Sequence, residues 1–106
     1  MAMTKKESRF WLFFDLGLRG DYGRLYAWLD SVQARECGDS AASFVSEQPR
    51  ERITQELRRR VDRGARLYLV GKTRDGRRLG GFIVGKRKVA PWTGFAEAAA
   101  DTGEEE

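Results

Sequence analysis

The chain has 106 residues, 41% of them hydrophobic and 34% charged, with a formal net charge of +4; that length and apolar content predict one domain with one core. No apolar run approaches the roughly 20 residues of a membrane span. The opening MAMTKKESRF lacks the apolar stretch of a secretory signal, and the single Cys37 has no internal partner, so a cytoplasmic protein without a membrane partner is expected. The absence of histidine excludes Ser–His and Cys–His nucleophile pairs and histidine-bearing zinc sites, so any catalysis would rest on carboxylates and a hard ion such as Mg2+.

Residues 1–8 are polar and read as loose. A strand follows over about Arg9–Leu18, with Phe10, Leu12 and Phe14 on one face and Trp11 and Phe13 on the other. A strand apolar on both faces needs cover on both. Gly17 and Gly20 bracket a turn, and Asp21 is a good N-cap for a helix over about Tyr22–Arg35. Tyr22, Leu25, Tyr26, Leu29 and Val32 form its apolar stripe, widened by Trp28. Glu36–Ser46 reads as one strand or as a short hairpin turning near Gly38–Asp39, with Cys37 as a small core residue. A second helix is predicted over about Pro49–Arg63, with Ile53, Leu57 and Val61 as a narrow stripe among arginines and Gly64 beyond its end. Ala65–Lys72 and Leu79–Gly85 read as strands around a two-residue turn at Asp75-Gly76. Pro91–Phe95 is expected to dock through Trp92 and Phe95. Ala96–Glu106 reads as an acidic, disordered tail after a single domain over 1–95.

This alternation of elements predicts an α+β fold: a ferredoxin-like two-layer sandwich, with two helices on one face of a mostly antiparallel sheet. The other face would carry Trp11 and Phe13. Those rings await a second copy, the C-terminal tail, or the bases of a nucleic acid.

Charge is unevenly spread. Residues 96–106 hold five acids and no base, which leaves 20 bases against 11 acids in the body, a net charge of +9. The densest basic set is Lys72, Arg74, Arg77 and Arg78 with Lys86, Arg87 and Lys88, read as a basic β-arm suited to nucleic acid or an acidic protein surface. The arginines around the second helix read as a phosphate groove or as a solvated face. Asp15 is either a strand-end carboxylate capping the following turn or a metal ligand. Asp39-Ser40 reads as turn chemistry.

The aromatic strand ending in Asp15-Leu16, then Gly20-Asp21-Tyr22, Leu25-Tyr26, Gly38-Asp39-Ser40 and Ala65–Val70, resembles the SinR-like proteins. Those are similar to the small CRISPR-associated adaptation nucleases (the second Cas type) and to the virulence-associated D (VapD) toxins. The likeness covers about residues 9–72 and, more faintly, Pro91–Phe95. It implies a ferredoxin-like homodimer formed through the sheet at Trp11 and Phe13. It also implies that paired Asp15 carboxylates hold Mg2+ for phosphodiester cleavage, with a nearby serine matching Ser40 or Ser43. A very short middle hairpin, the acidic tail and Gly80-Gly81 depart from that pattern.

The sequence therefore points to a cytosolic bacterial or phage-type homodimer that binds nucleic acid, with a divalent-metal-dependent endonuclease as its possible activity. The alternatives are a non-enzymatic interaction module, such as a toxin–antitoxin component or a phage-type inhibitor, and a monomeric RNA binder using its sheet face. If the acidic tail competes for the basic body, deleting residues 97–106 strengthens binding to a labelled oligonucleotide in fluorescence anisotropy; unchanged or weaker binding rules that competition out.

Overall fold

Strand β1 (Ser8–Asp15) runs through the centre of a five-stranded sheet in the computed structural model, which describes residues 7–98. The elements that follow are α1 (Tyr22–Ser31), β2 (Arg35–Glu36), β3 (Ala41–Ser46), α2 (Arg50–Arg58), β4 (Arg66–Lys72) and β5 (Arg78–Val84). The sheet order is β2-β3-β1-β4-β5, with every neighbouring pair antiparallel. The fold is thus α+β around one antiparallel sheet. No helix of the described residues is long and apolar enough to cross a membrane.

Alternation along β1 decides which residues meet the core. Phe10, Leu12 and Phe14 are buried, Trp11 is half-buried, and Phe13 is 44% exposed. The strand stops at Asp15 rather than Leu18, because Gly17 turns the chain at φ +75° and leaves Leu18 fully exposed.

Helix α1 starts where Asp21 caps it by accepting from the Gly23 N–H at 2.9 Å. It ends at Ser31, four residues before the expected Arg35. Gln33 takes the left-handed conformation (φ 58°) and donates to the Asp30 carbonyl at 3.0 Å, while Ala34 donates to Leu29 at 2.9 Å. That pair of bonds is a Schellman cap, a job usually done by glycine. Leu25, Trp28 and Leu29 carry the buried stripe, and Tyr26 lies half out of it.

The middle segment is the hairpin of the two alternatives, β2 and β3 joined through residues 37–40. Cys37 sits in that turn and is exposed, so it is not a core residue. Helix α2 stops at Arg58 instead of Arg63, and Val61 beyond it is only half-buried. Residues 73–77 join β4 to β5, and the turn enclosed by the Thr73–Arg77 bond has three residues, 74–76, not two. Gly76 (φ +87°) donates to the Thr73 carbonyl at 3.0 Å, and the Thr73 N–H donates to the Arg77 carbonyl at 2.7 Å.

Leu25, Trp28 and Leu29 of α1 and Ile53 and Leu57 of α2 join Phe10, Leu12, Phe14, Phe44, Leu67 and Leu69 in one buried cluster. Trp28 meets Phe44 edge-on at 5.2 Å, and its Nε1 donates to Glu56 of α2 at 3.1 Å. Two arginines of α2 hold the edge strand. Arg50 donates to the carbonyls of Leu79 (2.9 Å) and Leu69 (2.8 Å), and Arg58 to that of Ile83 (2.8 Å). These side chains are anchored at their guanidinium ends. They satisfy backbone acceptors of β4 and β5 with charged donors, the stronger kind of hydrogen bond.

Trp92 and Phe95 do not dock: they are 74% and 67% exposed, in a turn followed by a short helical segment over 95–98. The rest of the expected acidic tail, and residues 1–6, lie outside the described residues. Gly71 on β4 is buried beneath Phe10, and a Cβ there would fall 2.2 Å from the ring. Gly71→Ala is therefore expected to lower stability by about 1–3 kcal/mol, the usual cost of overpacking, measured by urea denaturation.

Candidate functional site

The sheet face away from the buried cluster is set by the same alternation. Phe13 pairs across the β1–β4 ladder with Tyr68, and Tyr68 pairs across β4–β5 with Phe82. The three rings form a row, Phe13 to Tyr68 at 6.4 Å and Tyr68 to Phe82 at 5.1 Å, each meeting edge-on. Tyr68 has room for this because Gly80 lies beneath it; a Cβ at Gly80 would come within 2.8 Å of the Tyr68 hydroxyl oxygen and 2.9 Å of Cε1. An aromatic ring laid over a strand glycine shields backbone that would otherwise be bare.

Cations frame the row. The Arg78 guanidinium sits 5.2 Å from the Trp11 ring centroid, and those of Arg66 and Arg87 each sit 6.0 Å from Phe82. At one end the rings border an open groove of about 530 Å3, completed by Phe14, Asp15, Ser40, Arg66 and Arg87. That volume suits a nucleotide-sized ligand.

Among the described residues, Asp15 is the one acid lining the groove. Its Oδ1 accepts from the Gly17 N–H at 3.0 Å and its Oδ2 from Arg66 Nη2 at 3.3 Å. The Gly17 hydrogen bond first, and Arg66 second, hold the carboxyl below its ordinary pKa. The turn-capping role expected of a strand-end carboxylate is therefore in place. Among the described residues no three His, Cys, Asp or Glu side chains come together. Ser40 lines the groove near Asp15, whereas Ser43 is buried and accepts from Arg9 Nη1 at 2.7 Å.

The basic set expected on a β-arm is divided. Lys72, Arg74, Arg77 and Arg78 gather at the turn end, where Arg74 pairs with Glu51 (3.2 Å) and Arg77 with Asp75 (3.0 Å). Lys86, Arg87 and Lys88 follow the other end of β5, about 20 Å away at the usual strand rise. Nor is this hairpin a free arm, since β4 pairs along its length with β1 and β5. Only Arg78 and Arg87 of the set reach an aromatic ring. The alternation of RLYLVGK already sets Tyr68 beside Arg66 on one face, but Phe82 joins them only through the β4–β5 register.

Compared with protein-family models, curated proteins and solved structures, the chain matches none of them.

Because the folded pKa of Asp15 lies below its unfolded value near 3.8, its contribution to stability is complete above that value. It is lost as pH falls through the folded pKa. Melting temperatures of wild type and Asp15→Asn should therefore differ near neutral pH and converge below pH 3.8.

Proposed function

We propose that this protein binds single-stranded nucleic acid on its open sheet face, stacking bases on Phe13, Tyr68, Phe82 and Trp11 and holding phosphates with Arg78 and Arg87. The observation that carries this reading is the cross-strand row of exposed and half-exposed rings set among arginines. Rings held on strands are rigid stacking platforms, worth about 1–3 kcal/mol per base. Guanidinium groups beside them supply the sequence-independent attraction to phosphate. The strand order β2-β3-β1-β4, with a helix after β1 and after β3, supports reading the domain as a ferredoxin-like sandwich with β5 added at one edge.

A second copy is the other occupant that fits an apolar face, and the likeness to the SinR-like proteins favours it. In that arrangement paired Asp15 carboxylates would hold Mg2+ and activate water for cleavage. Charge argues for nucleic acid instead. Arg9, Arg66, Lys72 and Arg78 share this face with Asp15 as the one acid of its β1, β4 and β5 positions. Face-to-face pairing of two such surfaces sets like charges together, which costs several kcal/mol.

Binding to a labelled oligonucleotide is expected to fall steeply with salt, and Phe13→Ala to weaken it about tenfold without loss of fold, since one stacked base is worth about that much. Unchanged affinity in Phe13→Ala, or a flat salt response, overturns the reading. Solution mass decides between one copy and two. Cleavage assayed with Mg2+ and with EDTA, for wild type and Asp15→Ala, decides whether paired carboxylates act.

A further inference from the structure

A carboxylate is out of place in a groove meant for phosphates, since like charges repel. Yet Asp15 stands at the end of the aromatic row with a side chain that is 56% exposed. It lies two residues along β1 from Phe13 on the same face, opposite Arg66 just as Phe13 lies opposite Tyr68. A base stacked on Phe13 lies within reach of Asp15 and Arg66, about 7 Å along the strand.

We propose that this corner is a guanine pocket: Asp15 accepts from the N1–H and the N2 amino group of the base, and Arg66 donates to its O6. The inference rests on the nucleic-acid reading above and adds the identity of the base. A carboxylate has about four lone-pair positions. Gly17 and Arg66 occupy two of them, so two remain for a ligand. Guanine presents two adjacent donors on its Watson–Crick edge with an acceptor beside them. Adenine and cytosine each offer one amino donor next to ring acceptors that a carboxylate repels. Uracil offers a single N–H between two carbonyls. The Asp15–Arg66 pair thus matches the guanine edge in order as well as in number, and the groove of about 530 Å3 admits a purine. The phosphates would lie toward Arg87, away from the carboxylate.

The test measures anisotropy of labelled oligouridines carrying one central guanosine, inosine, adenosine or cytidine. The guanosine oligomer is expected to bind about tenfold tighter than the adenosine one, since hydrogen bonds to a charged group are worth that or more. Inosine, which lacks the N2 amino group, should fall between them. Asp15→Asn should abolish the preference, and its circular dichroism and melting curve report whether it folds. Equal binding of guanosine and adenosine by the wild type, or a preference that survives in Asp15→Asn, overturns the guanine assignment alone. Failure to bind any of the oligomers, oligouridine included, overturns the nucleic-acid reading beneath it. The inosine comparison needs no variant and so does not depend on the mutant's fold.

Discussion

The two-sidedness of β1 is the constraint from which the rest of this protein follows. It is flanked by β3 and β4, and its side chains alternate between a closed core and an open face. Phe10, Leu12 and Phe14 are stabilising through burial, at roughly 25 cal/mol per Å2 removed from water. Trp11 and Phe13 gain much less of that, so their presence on the outer side asks for a ligand or partner. Tyr68 and Phe82 extend the same outer surface across β4 and β5 only because the register puts them beside Phe13.

Two glycines make this sheet possible, one on each side of it. Gly71 leaves space for the Phe10 ring on the core side, and Gly80 leaves space for Tyr68 on the open side. Glycine inside a strand ordinarily weakens it. Here each one is covered by a ring from the neighbouring strand, so the loss is offset by aromatic packing. Of the Gly80-Gly81 pair, Gly80 thus has a local physical reason in this fold.

Two sets of arginines play parts that composition cannot separate. Arg50 and Arg58 reach from α2 to the carbonyls of β4 and β5 and stabilise the edge of the sheet. Arg66, Arg78 and Arg87 sit against aromatic rings on the open face. A net charge counts both alike. The second set lies on the face proposed for a polyanion, and its members come from three separate points of the chain.

Local signals in the sequence determined the kind and order of the main elements, the inward and outward faces of β1 and the Asp21 cap, because each depends on alternation or on neighbours a few residues away; they left Glu36–Ser46 open between one strand and a hairpin, and Asp15 open between a cap and a metal ligand. Helix ends were less legible. Gln33 performs a glycine's task at the end of α1, and nothing in its identity announces a left-handed residue. The loop at Asp75-Gly76 was visible as a turn, but its length depends on how the two strands align. Strand order, the row of Phe13, Tyr68 and Phe82, the division of the basic residues and the exposure of Trp92 and Phe95 were decided by the tertiary structure alone. They arise from pairing between residues far apart in the chain, whose register is set by the packing of the whole sheet against both helices rather than by any short stretch of sequence.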